Sequence, residues 1–402
     1  MISKNRYNNT LPDKRIPTFP CKGNNKSKNV MIVAGEASGD LHGANLIRAI
    51  QRIDPSVRFY GIGGRKLEGA GTRLIAGSSD MAVVGLTEVI FKLRFILNVM
   101  GLLKRSLREF RPDLLILIDY PDFNLPLARA AQKNGVKVFY YISPQVWAWR
   151  KRRVGKIEKV VDRMAAILPF EAQVYDKSKL EVSFVGHPLL DVVKKRYSRE
   201  EALERFGLKD GFTTVGILPG SRKNEVKKLL PEMLKAAEIL SGKLASIQFV
   251  LPLADTIEVD FVTKIIDRYP VEIRVVSNDI YDVIGVSDIA MVASGTATLE
   301  TALLETPMII IYKISMLSYY LGKIFIKINN IGLVNIIAGK TVVPEFIQGE
   351  ATPVNMAEEI YNILTDSLRM DKIKYDLSRV RRKLGSPGAA ERAAGLAYEM
   401  MS

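Results

Sequence analysis

The sequence swings twice between short, almost wholly apolar runs and longer stretches with helical periodicity. The first series is Val30–Ala34, Arg58–Gly61, Leu114–Ile118, Lys137–Tyr141, Met164–Leu168 and Val182–Val185. The second is Thr213–Leu218, Ile247–Leu251, Ile273–Val276, Ile289–Val292 and Met308–Ile311. A strand with one wet face alternates apolar and polar residues; runs without that alternation belong to strands covered on both faces, hence to a parallel sheet with helices above and below. The expected fold class is α/β, with two doubly wound parallel-sheet domains facing a cleft, and 402 residues are enough for both. Gly186-His187-Pro188 and the charged stretch to Asp210 read as the connection between them. The expected limits are a disordered, Asn/Lys/Arg-rich extension at 1–28, a first domain at 29–190, a second at 191–384 and a closing segment at 385–402. Met356–Met370 and Lys372–Leu384 read as helices. Gly385-Ser386-Pro387-Gly388 breaks the pattern before a small-residue helix, Ala389–Met401.

A net charge of +15 points to nucleic acid, an anionic membrane surface or phosphorylated substrates. The basic residues are dispersed through apolar helices instead of forming one strip, so no nucleic-acid partner is expected. A single cysteine, Cys21, excludes an internal disulfide framework and a cysteine zinc site. With two histidines, and no D-x-D, H-E-x-x-H or paired ligand spacing, a metal-independent mechanism without cofactor is expected. His42 and His187 read as structural. Residues 1–28 lack the apolar core of a signal peptide, and no uncharged run approaches the roughly 18 residues that span a bilayer. A cytoplasmic protein, soluble or peripheral, is expected.

Chemistry is expected where strands end in loops. Ala34 leads into Gly35-Glu36-Ala37-Ser38-Gly39-Asp40, whose glycines admit a close ligand and whose Glu36, Ser38 and Asp40 offer acceptors to sugar hydroxyls. Leu114–Ile118 ends in Asp119-Tyr120-Pro121-Asp122, and a carboxylate there is partly desolvated, as a general base requires. Asp119 and Asp122 compete for that role; Asp122 precedes a helix and reads as its cap, so Asp119 is favoured. Pro219-Gly220-Ser221-Arg222 and Ser294-Gly295-Thr296-Ala297-Thr298-Leu299-Glu300 are strand–turn–helix anion sites, one with an arginine to grip phosphate and the other with hydroxyl donors and Glu300 for ribose hydroxyls. Asn335 is either a buried structural amide or a ligand contact.

Three stretches mix apolar, aromatic and basic residues as interfacial helices do. They are Val83–Leu103 with Val84, Leu86, Phe91, Phe95 and Leu97; Ile314–Ile328; and Trp147 and Trp149 beside Arg150, Arg152 and Arg153. A peripheral membrane contact is expected.

Gly35–Asp40, Ile118–Asn124, Ser143-Pro144-Gln145-Val146-Trp147-Ala148-Trp149, Leu168–Glu171, Val185–Leu189, Leu218–Arg222 and Ser294–Glu300 together resemble the lipid-A-disaccharide synthase family, in order, from Asn29 to the C-terminus. The resemblance implies two Rossmann-like domains (GT-B) and an inverting glycosyltransferase on the cytoplasmic face of the inner membrane. Its substrates would be UDP-2,3-diacylglucosamine and 2,3-diacylglucosamine 1-phosphate (lipid X). UDP would lie against Arg222, Ser294 to Thr298, Glu300 and Asn335, and the last helix would return to the first domain. A rival is another UDP-sugar enzyme with a lipid-linked acceptor.

Overall fold

The structure, a computed structural model, describes residues 27–78, 86–144, 154–313 and 330–402. The chain divides into two units. One is Leu189–Ser386; the other is the chain up to Pro188 together with Pro387–Ser402.

In the first unit the described strands are β1 (Asn29–Ala34), β2 (Arg58–Gly63), β3 (Thr72–Gly77), β4 (Leu114–Ile118), β5 (Val138–Tyr141), β6 (Arg163–Ala166) and β7 (Glu181–Phe184). They form one parallel sheet in the order β3-β2-β1-β4-β5-β6-β7. In the second unit β8 (Thr213–Leu218), β9 (Ile247–Leu253), β10 (Ile273–Ser277), β11 (Ile289–Ala293), β12 (Met308–Tyr312) and β13 (Glu345–Ile347) form another, in the order β10-β9-β8-β11-β12-β13. It too is parallel throughout.

The strands read from the sequence are present. Two others, β3 and β13, escaped because each is a sheet edge whose residues are only partly covered, so neither carries a continuous apolar run. By contrast every residue of β4 is buried. Above it, Met31, Val33, Leu115 and Leu117 pack with Val99, Leu103 and Leu107 of the helix Leu86–Phe110. Each such side chain contributes about 1.5–3 kcal/mol by leaving water.

Three local expectations need correction. The stretch after Pro188 is more than a connection: the helix Arg199–Phe206 starts with a Ser198/Glu201 capping box and buries Ala202, Leu203 and Phe206 against Val250, Val276 and Val283. The division between units falls after Pro188, two residues before the expected limit. In the tail the helices are Pro353–Thr365 and Ser367–Lys383, separated at Asp366, whose side chain accepts from the Arg369 amide as a cap.

The closing helix, Ala389–Glu399, packs along Ala37–Ile53 in the first unit. Its buried face is Ala389, Ala390, Ala393, Ala394 and Ala397, and such small residues let two helix backbones approach closely. Arg52 pairs with Glu391 and Arg163 with Glu399 at the rim.

Candidate functional site

In a doubly wound sheet, ligands bind beyond the carboxyl ends of the strands where the strand order reverses. In the first unit that point lies between β1 and β4, paired with Ala34 opposite Ile118. The loops leaving them are Gly35–Asp40 and Asp119–Asn124. In the second unit it lies between β8 and β11, paired with Leu218 opposite Val292. The loops there are Pro219–Arg222 and Ser294-Gly295. Strand pairing thus brings the candidate loops together two by two within each unit.

Asp119 leaves β4 with φ 45°, and Tyr120 follows at φ 46°. Left-handed backbone at a residue other than glycine costs about 1–3 kcal/mol and persists only where neighbours hold it. The Asp119 carbonyl accepts from Asn124 Nδ2 at 2.6 Å and from the Tyr140 hydroxyl. The Tyr120 ring rests on Gly35, where an added Cβ would stand 2.4 Å from Cδ1. The Asp119 side chain is half-buried. Burial pushes its pKa up to about 6, the Glu36 carboxylate adds to the rise, and the Tyr120 backbone amide offsets part of it. Such a carboxylate is ionised at neutral pH yet basic enough to take a proton.

The other candidates in this unit separate. Glu36 is exposed at the start of Ala37–Ile53 and makes no side-chain capping bond, so its charge acts on Asp119. Ser38 is exposed in the same first turn. Asp122 is exposed in the first turn of Pro121–Lys133, the position where the helix dipole favours an acid. Asp40 is a correction: it is buried, and its two oxygens accept from the amides of Gly64 at 2.6 Å, Lys66 at 3.1 Å and Leu67 at 3.0 Å. It fixes the turn into Arg65–Gly69, and three of its roughly four acceptor sites are taken by these amides within a buried setting. His42 and His187 are buried and neutral, driven down by burial to about 4 and about 3, with Lys66 contributing at His42 and His42 at His187.

In the second unit β8 ends at Leu218, and Gly220 follows in the loop with φ 108°, where a Cβ would stand 2.6 Å from Glu225 Oε2. Arg222 is the N-cap residue of Lys223–Lys243 and pairs with Glu225 at 2.9 Å, yet its side chain is 71% exposed. Such a pair contributes little, about 0–1 kcal/mol, so the guanidinium is free to exchange its partner for a phosphate. After β11, Gly295 takes φ 155° and ψ −158°, a conformation essentially confined to glycine, and the helix Thr296–Leu303 starts beside it. Helix geometry leaves the first amides, those of Thr296 and Ala297, without intrahelical acceptors. Gly295 and Thr296 are exposed, and Ser294 is half-buried. Glu300 is half-buried, its pKa raised by desolvation, and accepts from the Tyr281 hydroxyl at 3.3 Å.

Two predicted donor-site side chains are corrected here. Thr298 is 0% exposed and its hydroxyl donates to the Gly295 carbonyl at 2.8 Å, which closes the turn. Asn335 is also 0% exposed, and its amide is fully used. Nδ2 donates to the Val343 carbonyl at 2.8 Å and to Glu345 Oε1 at 2.7 Å, while Oδ1 accepts from Val342 at 2.7 Å and Val343 at 3.0 Å. Of the two sequence alternatives, Asn335 is the structural amide.

Among the membrane candidates, Leu97 is 60% exposed. Phe95 is partly buried and packs against the first unit's core. Leu86 and Phe91 fall within residues 86–93, whose side chains lie outside the described residues, as do Val84, Trp147, Trp149, Arg150, Arg152, Arg153 and the stretch 314–329.

A model of the lipid-A-disaccharide synthetase family matches residues 30–400. The chain belongs to that family. The lipid-A-disaccharide synthase of Syntrophus aciditrophicus is 57% identical over 376 residues, covering 93% of this chain and 98% of that one. That of Geobacter metallireducens is 49% identical over 379 residues, covering 94% and 99%. Among solved structures, MurG of Acinetobacter baumannii superposes with a TM-score of 0.58 at 14% identity, covering 92% of this chain and 99% of that one. The UDP-GlcNAc 2-epimerase of Neisseria meningitidis, bound to UDP-GlcNAc, gives 0.57 at 12% identity over 93% and 99%. The calicheamicin glycosyltransferase CalG4 gives 0.59 at 12% over 94% and 98%. These likenesses share the fold, two Rossmann-like parallel-sheet domains. Sequence reasoning about this lipid-A-disaccharide synthase family member missed Asn124, Tyr140 and Tyr281, which hold Asp119 and Glu300. Asn124 sits inside a recognised motif; Tyr140 and Tyr281 are masked as ordinary apolar-run and helix residues.

Proposed function

We propose that this chain transfers 2,3-diacylglucosamine from UDP-2,3-diacylglucosamine to the 6-hydroxyl of lipid X, with inversion, forming the β-1,6-linked lipid A disaccharide 1-phosphate and UDP. The observation that carries the reading is Asp119, a carboxylate raised to about 6 at the switch point of the first sheet. The acceptor oxygen attacks the anomeric carbon while its proton passes to Asp119. The bond to UDP breaks, and the electron pair leaves on the diphosphate. Arg222 and the amides at Thr296 and Ala297 stabilise that negative charge, and Glu300 receives the ribose hydroxyls. No metal is assigned a role. Mass spectrometry of the product from UDP-2,3-diacylglucosamine plus lipid X tests the reaction, and absence of a disaccharide product refutes it. Activity lost to a chelator and restored by Mg²⁺ would refute the metal-free step.

The chain is read as a peripheral protein of the cytoplasmic face of the inner membrane. Exposed Leu97 on a helix rich in basic residues supports this, and among the described residues no helix is long and apolar enough to cross a membrane.

A further inference from the structure

We infer that Tyr140 and Asn124 are positioning residues of the reaction, clamping the main-chain carbonyl of Asp119 so that its carboxylate is held where it takes the acceptor's proton. This inference rests on the reading of Asp119 as the base.

The pairing of β4 with β5 ends at Ile118 opposite Tyr141, so the Asp119 carbonyl lies beyond the ladder. Its donors are buried side chains instead of a strand's main-chain amides. Two side chains meet it there. Tyr140 and Asn124 are both 0% exposed, and both donate to this one oxygen. A carbonyl has two lone pairs, and these two donors fill them. Burial raises the Tyr140 pKa well above its usual value, so the hydroxyl keeps its proton and remains a donor throughout the physiological range.

Asn124 does more than one bond's work. Its Nδ2 also reaches the Ile118 carbonyl at 3.2 Å, and its own amide donates to the Tyr120 carbonyl at 3.0 Å. One residue therefore ties three successive carbonyls across the reversal out of β4. Gly35 completes the arrangement by leaving room for the Tyr120 ring. Backbone in this conformation relaxes if its partners are removed. A peptide that relaxes at Asp119 swings the carboxylate away from the place where burial and Glu36 have tuned it. The clamp thus fixes both the position and the basicity of the group.

Tyr140→Phe deletes a single oxygen, and Asn124→Asp keeps the side chain's shape while removing both N–H donors. Steady-state transfer to lipid X by the full-length protein is followed with each variant, together with the pH profile and the thermal midpoint. Each folded variant is expected to lose about tenfold in kcat at unchanged KM for UDP-2,3-diacylglucosamine. The acid limb near pH 6 is expected to move to lower pH as the released carboxylate gains water. Full kcat in a folded Tyr140→Phe overturns the clamp, and so does a loss shared equally by kcat and donor affinity with the acid limb unmoved. Should Asn124→Asp not accumulate as folded protein, Tyr140→Phe alone decides. Asp119→Asn separates the clamp from its premise: a fully active Asp119→Asn removes the base itself. An inactive Asp119→Asn beside a fully active Tyr140→Phe removes only the clamp.

Discussion

Replacing Asp119 by Asn is expected to make the protein inactive and more stable at the same time. The folded carboxyl titrates at about 6 against an ordinary 3.8, raised chiefly by burial and secondarily by Glu36. A folded pKa above the unfolded one means that the native state binds the proton more tightly. The stability this confers is complete below pH 3.8 and is lost as pH rises through about 6. The gap corresponds to about 3 kcal/mol, an upper bound that residual solvent at this half-buried side chain reduces to about 1–2 kcal/mol. Asparagine cannot ionise and escapes the loss. The variant should therefore match the wild type near pH 4 and exceed it above pH 7. Its melting midpoint should rise there by about 2–8 °C, given about 2–4 °C per kcal/mol for units of this size. Calorimetric or dye-monitored melting of both proteins from pH 4 to 8 measures the difference directly, and other titrating groups cancel in the comparison. Turnover should fall by about 100-fold or more at every pH, the usual contribution of a general base. A stability difference that stays constant across that range, or that turns against the variant at high pH, would refute the assignment of the raised carboxyl to Asp119. Destabilisation stored at a working group is the expected mark of an active site.

Arg222→Ala should weaken UDP binding by about 10-fold or more in a calorimetric titration while leaving the melting midpoint in place, because its exposed pair with Glu225 contributes little. Asn335→Ala should behave the opposite way, losing about 3 kcal/mol in denaturant unfolding as four buried hydrogen bonds disappear. UDP affinity of its folded fraction should stay within about threefold, and a large affinity loss at unchanged stability would restore Asn335 as a ligand contact. Leu97→Asp should reduce flotation with vesicles containing anionic phospholipid without altering folding, since the side chain is exposed; unchanged flotation would remove this helix face from the membrane surface.

The central architecture was legible because β1, β4, β8 and β11 are buried on both faces and carry that fact as largely apolar runs without polar alternation. The half-covered edges β3 and β13 carry no such signal. The positions of Asp119 after a buried strand and of Arg222 before a helix were both legible. Two acceptors were misjudged for one reason. Asp40 and Asn335 spend their hydrogen bonds on groups from separate segments, Gly64–Leu67 and Val342–Glu345, and the composition of their own stretches says nothing of these partners. Thr298 was misjudged more locally, since a hydroxyl in a first helical turn can face a ligand or fold back on its own turn, as it does here. The raised pKa of Asp119 also needed the fold, because Glu36 reaches it only through the pairing of β1 with β4.

The return of Ala389–Glu399 to the first unit makes that unit depend on two distant pieces of chain. The second unit, Leu189–Ser386, is one continuous piece of chain and needs no segment from beyond Ser386. The first unit begins earlier yet is closed only by residues 387–402, without which the Ala37–Ile53 helix lacks its cover. The part that begins first in the sequence is thus the part closed last, and a chain cut after Ser386 would keep a continuous second unit beside a first unit whose Ala37–Ile53 helix lacks its cover.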